Sequence, residues 1–202
     1  MIQSNNLFSC LALCTKGSNM GDSILRGTRT YLAGNLESSS DTTNWRSYIK
    51  SELKKLGIIS FNPMEQNFTN DTAESDDTRN GLISQRELGK WEDVSTFMKA
   101  TIEKDLRLID ISDFIIFNFE FDKPTFGTTH ELVIAQLQKK PIFLIVKDRT
   151  KVPLWIMGLV PEKYIYDSID DVLEMLSDIH SGVIKIDSSR WRLLKKEFRF
   201  AV

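Results

Sequence analysis

From residue 29 onward the apolar positions alternate between a period of two and a period near 3.6, strand-like then helix-like. Arg29-Thr-Tyr-Leu-Ala-Gly34 predicts a first strand ending in small residues, which let backbone approach a ligand closely. Ser38 to Asp41 offer helix caps ahead of Trp45, Ile49, Leu53 and Leu56, a helical stripe that Gly57 stops. Ile58 to Phe61, closed by Asn62-Pro63, predicts a second strand joined to the first by a right-handed crossover. Met98, Ile102, Leu106 and Ile109 predict a helix over 96–111. Asp113 to Asn118 and Ile142 to Val146 are apolar on both faces, as in central strands of a parallel sheet, and a helix over 128–138 lies between them. Tyr164 to Tyr166 and a stripe of Ile169, Val172, Leu173 and Leu176 add a last strand and helix. This order predicts an α/β fold: a doubly wound, flavodoxin- or Rossmann-like parallel sheet of about five strands with helices on both faces.

Residues 64–93 break the rhythm, being polar and acidic without an apolar period, and are expected to be a solvated loop on the ligand side of the sheet. The expected organisation is an N-terminal extension over 1–27, an α/β domain over 28–186 and a C-terminal tail over 187–202. The apolar run from Leu7 to Cys14 is far shorter than the roughly 20 residues that span a bilayer, and is expected to dock on the body of the protein. Cys10 and Cys14 form neither a zinc site nor a disulfide framework, so no membrane or metal is expected and a reducing, cytoplasmic setting is. In the tail, Trp191, Leu193, Leu194, Phe198 and Phe200 interleave with basic residues and suggest docking on the same or a neighbouring subunit, hence a homo-oligomer.

A net charge of -2 and a pI near 5.8 give no basic face for a nucleic acid polymer, so a small molecule is the expected partner. Open parallel sheets bind ligands beyond the carboxyl ends of their strands, which is where Gly127 opens the helix carrying Glu131. Asp105 falls on the apolar stripe of its helix, a costly place for a carboxylate unless it is hydrogen-bonded or used. Thr128-Thr-His-Glu131 is also a capping-box sequence, in which Glu131 would only return to its own helix start. His130 points away from Glu131 and is left outside the candidate set.

Four blocks in order resemble the nucleoside 2-deoxyribosyltransferases and the related nucleotide N-glycoside hydrolases, over roughly Thr30 to Val146. They are Tyr31-Leu-Ala-Gly34 with Trp45-Arg46, Asn62-Pro63, Asp105-Leu106 with Ser112-Asp113, and Gly127-Thr-Thr-His-Glu131 with Lys140-Pro141. The resemblance implies that Glu131 attacks the anomeric carbon, that Tyr31 holds its carboxylate and that Asp105 contacts the base and assists its departure. Gly34, Asn62, Thr125, Gly127 and Asp122 are the candidate substrate-binding residues, and with no metal cluster or dinucleotide fingerprint in the sequence no cofactor is expected. Where deoxyribosyltransferases commonly carry an aspartate for the sugar hydroxyl, this chain has Thr125, and the hydrolases that act on nucleotides place a hydroxyl residue there to bind phosphate; Asp122 could supply the carboxylate instead.

The expected activity is cleavage of the N-glycosidic bond of 2'-deoxynucleosides or their monophosphates through a glycosyl-glutamate intermediate, with transfer to another base. The alternatives are hydrolysis of deoxynucleoside monophosphates and a non-catalytic nucleotide sensor. Phosphoribohydrolases of cytokinin nucleotides share Gly-Thr-x-x-Glu, but the paired glycine that precedes it there is missing from Lys123-Pro-Thr-Phe126.

Overall fold

The computed structural model describes residues 23–34, 42–65, 76–121, 126–187 and 190–191. One all-parallel sheet holds β1 (Arg29–Gly34), β2 (Ile59–Phe61), β3 (Phe114–Phe119), β4 (Ile142–Val146) and β5 (Ile165–Tyr166), in the order β2-β1-β3-β4-β5. The helices are α1 (Thr42–Lys55), α2 (Asp76–Glu87), α3 (Trp91–Ile111), α4 (Phe126–Leu137), α5 (Leu154–Leu159) and α6 (Ile169–His180).

Alternation along the strands builds two cores. Tyr31, Ala33, Ile115, Phe117 and Leu144 pack with Leu108 and Ile109 of α3, Leu132 and Ala135 of α4 and Ile156 of α5. Leu32, Phe114, Ile116, Phe143 and Ile145 pack with Ile49 and Leu53 of α1 and with Val172, Leu176 and Ile179 of α6. Covering both faces is what makes β3 and β4 read as unbroken apolar runs. The chain leaves β1 in one direction to form β2 and returns to the other side as β3, so strand order reverses between β1 and β3. Ligand crevices open at such a switch point.

The edge of β1 has an unusual completion. Arg29 O accepts from Asp113 N toward β3, whereas Thr28 O accepts from Ile59 N toward β2, both at 2.8 Å. Carbonyls of even-numbered residues therefore face β2, which ends at Phe61 opposite Tyr31. Leu32 O and Gly34 O lie beyond it, and the fully buried Arg46 of α1 donates to both, from Nε at 3.3 Å and Nη2 at 3.0 Å. The Trp45 ring lies 4.6 Å from that guanidinium. A Cβ on Gly34 would sit 2.8 Å from Asn118 O and 3.1 Å from Trp45 Cζ2, so only glycine fits between β3 and α1.

A second buried cation closes α3. Lys140 Nζ donates to Asp110 O at 3.0 Å and to Ser112 O, while Asp113 Oδ2 accepts from Arg29 N at 2.9 Å. The end of α3, the start of β3 and the start of β4 are thereby tied together. Trp191 packs on Phe114 with centroids 5.0 Å apart, and Arg190 donates to Lys139 O and Lys140 O.

The five-stranded parallel sheet is as expected, but several boundaries differ. The acidic stretch 64–93 is not a structureless loop: residues 76–87 form α2 and α3 begins at Trp91. The apolar side chains of α2 are few, with Leu82 and Ile83 half-buried, so its helical period is nearly silent. In α3, Thr101, Leu108 and Ile109 are buried while Met98 and Ile102 are exposed, so its inner face is rotated from the expected stripe. The apolar run from Leu7 to Cys14 and the tail beyond Trp191 lie outside the described residues.

Two substitutions test these joints by chemical denaturation. Gly34→Ala is expected to cost about 1–3 kcal/mol through the clash with Asn118 O. Lys140→Met should cost about 1–3 kcal/mol by taking the ammonium from the buried Ser112 carbonyl and the partly buried Asp110 carbonyl.

Candidate active site

The odd residues of β1 face α3 and α4, which sends the ring of Tyr31 beneath α4. On α4, Thr128, Glu131, Leu132 and Ala135 are the buried residues, one helical face pressed on the sheet. Glu131 is a carboxylate within this apolar face, with only 9% of its surface exposed. Burial of such a group is costly unless it is hydrogen-bonded. Tyr31, 1% exposed, provides the bond: its hydroxyl donates to Glu131 Oε1 at 2.8 Å, across 100 residues of sequence. The two residues that the first and last sequence blocks singled out therefore meet.

The capping-box reading of Glu131 does not hold. Helix α4 begins at Phe126, two residues before Thr128, so Thr128 is already helical and Glu131 sits in the second turn. Its carboxylate turns inward to Tyr31. Gly127 is not a turn residue either: it lies in the first turn of α4, exposed, and among the described residues nothing outside its own helix lies within 4 Å of where its Cβ would be.

Asp105 is on α3, which packs against both α4 and β1. Its side chain is 14% exposed and lies 3.6 Å from the ammonium of Lys104. Asn62 is buried at the end of β2, where its Oδ1 accepts from Met64 N at 3.1 Å and its carbonyl from Glu65 N, a compact turn. Gly34 ends β1 in the close contact with Asn118 and Trp45. Thr125 and Asp122 lie outside the described residues. His130 is exposed.

Farther along the same carboxyl edge, Phe119, Glu120 and Phe121 of the β3 end and Val146, Lys147, Asp148 and Lys151 after β4 line a cleft of about 290 Å³. Phe119 and Phe121 stack there with centroids 4.8 Å apart. Bonds from the Thr150 hydroxyl and backbone N-H hold the Asp148 carboxyl below the usual range, making it a cap for the turn over 149–151. Among the described residues no helix is long and apolar enough to cross a membrane.

Sequence reasoning did not assign a role to Arg46, although it quoted the residue. A signal was present: Arg46, Ile49 and Leu53 share one helical face and all three are fully buried, so a charge stood where the pattern called for an aliphatic.

The sequence pattern of one family, the nucleoside 2-deoxyribosyltransferases, matches residues 30–176, well over half of the chain. The chain belongs to the nucleoside 2-deoxyribosyltransferase family. The match reaches past the quoted blocks to take in β5 and most of α6. Among solved structures, the 2-deoxyribosyltransferase of Bacillus psychrosaccharolyticus aligns with a TM-score of 0.50 at 20% identity, covering 72% of this chain and 90% of that one. A conserved protein of Enterococcus faecalis V583 aligns with a TM-score of 0.50 at 18% identity, covering 75% and 98%. The CMP N-glycosidase of Clostridium botulinum gives 0.43 at 17%, covering 74% and 98%. At these identities the likeness concerns the fold. A comparison with curated proteins finds no match.

The Tyr31 hydroxyl is the bond to test. Tyr31→Phe is expected to destabilise the protein by about 1–3 kcal/mol, because it strips a buried carboxylate of a donor, whereas Tyr48→Phe removes only a bond at the surface. Equal losses in urea denaturation would show that the inner bond is not held.

Proposed function

We propose that this protein, within the N-glycosyl transferase and hydrolase chemistry of its family, transfers the 2-deoxyribosyl group between nucleobases. The substrate in this reading is a 2'-deoxynucleoside or its monophosphate. Glu131 attacks C1', the C1'-N bond breaks with both electrons leaving on the base, and a glycosyl ester forms on the carboxylate. Asp105 contacts the base and assists its departure by giving the leaving nitrogen a proton. A second base then attacks C1', its nitrogen gives a proton back to Asp105, and the C1'-O ester bond breaks with its electrons returning to the Glu131 carboxylate. Two displacements retain the anomeric configuration.

The observation that supports this most is the buried Tyr31–Glu131 bond at 2.8 Å. A carboxylate held at one oxygen by a rigid phenol is fixed in direction, and attack on a saturated carbon needs that alignment. The setting of Asp105 on a helix packed against α4 and β1 supports its assignment beside Glu131. Gly127, exposed in the first turn of α4, offers backbone to the sugar, Gly34 and Asn62 shape the ends of β1 and β2, and Thr125 or Asp122 takes the sugar hydroxyl or phosphate. The reading carries with it a cytoplasmic enzyme without cofactor that works as a homo-oligomer; the exposed Leu154, Trp155 and Met157 of α5 support the last point.

Incubation with a deoxynucleoside and a different free base tests it. Transfer yields a new deoxynucleoside, hydrolysis yields only free base and sugar, and appearance of neither would end both readings. Glu131→Ala is expected to lower turnover by at least about a thousandfold while the circular dichroism spectrum is kept, the size of loss typical for removal of a covalent nucleophile.

A further inference from the structure

The register of β1 carries a consequence for Glu131. Tyr31 is the last residue of β1 that has a strand on both sides: β3 continues to pair through Gly34, opposite Asn118, but β2 ends at Phe61. Beyond Tyr31 the outer carbonyls, Leu32 O and Gly34 O, are held by Arg46 alone among the bonds described, one from Nε and one from Nη2. The planar fork of a guanidinium spans two successive same-side carbonyls as an adjacent strand would. A hydrogen bond of 2.8 Å between Tyr31 and Glu131 tolerates only a fraction of an ångström of drift in the strand beneath it.

We infer that Arg46 is a positioning residue for the Tyr31–Glu131 pair, replacing the missing end of β2 so that Tyr31 stays in register under α4. The supporting pieces interlock. Arg46 is fully buried, an expensive place for a cation that an aliphatic side chain could fill if helix packing were its only task. The Trp45 ring lies against the guanidinium and touches the place where Gly34 lacks a side chain, which packs the fork against the end of the strand. Two segments separated along the chain, Tyr31 to Gly34 and Trp45-Arg46, thereby form one unit. Arg46 acts through Tyr31 and touches no reacting atom in this scheme, and its purpose rests on the reading of Glu131 as nucleophile given above.

The test uses the full chain labelled with carbon-13 at the tyrosine Cζ. Four tyrosines give four signals, and Tyr31 is assigned by its loss in Tyr31→Phe. Arg46→Lys keeps the charge but offers a single nitrogen in place of the fork. Its Tyr31 signal is expected to move toward the position it takes in Glu131→Ala, with the other three signals unmoved. In the same variant kcat for base exchange should fall at least about tenfold with KM changed less than about threefold, the split expected when alignment and not binding is lost. A Tyr31 signal that stays at its wild-type position overturns the inference. If Arg46→Lys gives no folded protein, Trp45→Leu loosens the fork without removing it. A displaced Tyr31 signal then supports the inference, and an unmoved one overturns it. A wild-type protein without turnover overturns the proposed function, while the Tyr31 signal decides on Arg46 in either case.

Discussion

A carboxylate on the inward face of a helix has to be given a partner, and the whole arrangement around Glu131 follows from how that is done. Helix α4 buries Thr128, Glu131, Leu132 and Ala135 against the sheet, and three of these are ordinary packing residues. Glu131 alone brings a charge beneath the helix, and the Tyr31 hydroxyl on the neighbouring strand meets it at 2.8 Å. A bond between residues 100 apart in sequence exists only if β1, β3 and α4 hold their mutual positions, so one short contact reports on the register of half the sheet. The same contact turns a helix side chain into a directed group, and direction is what a nucleophile at a sugar carbon requires.

Two buried cations keep those positions, and both do so through backbone carbonyls. Arg46 completes the outer edge of β1 where β2 is too short to do so. Lys140 gathers Asp110 O and Ser112 O at the end of α3, the helix that carries Asp105. Neither cation is exposed, and a carbonyl facing a fixed cation need not be met by water or strand. The strand bearing Tyr31 is thus pinned at its carboxyl end, beside the sheet's switch point, and the helix bearing Asp105 is pinned at its last turn, beside the starts of β3 and β4. Membership of the nucleoside 2-deoxyribosyltransferase family gives this scaffold its chemical context.

The order of strands could be read from the amino acids because both faces of β3 and β4 are covered, which forces continuous apolar runs that few other arrangements need. The pairing of Tyr31 with Glu131 could be anticipated only through resemblance, because no local period connects residues so far apart. The start of α4 was misplaced because Thr128-x-x-Glu131 satisfies a local capping rule that the tertiary bond to Tyr31 overrides. Helix α2 went unseen for the opposite reason: its side chains are nearly all polar, so its folding depends on α3 and leaves little trace in periodicity. The inner face of α3 was rotated in expectation because Met98 and Ile102 are apolar yet exposed, which no single-helix pattern distinguishes from a core stripe.

The account turns on whether Glu131 itself takes the sugar. Mixing the protein with a deoxynucleoside in the absence of any acceptor base, quenching in acid and mapping the peptides by mass spectrometry measures this directly. The account predicts a deoxyribosyl adduct on the peptide containing Glu131, and its disappearance when a free base is added before the quench. Base release accompanied by an adduct on another residue, or by none at any time during turnover, would contradict it.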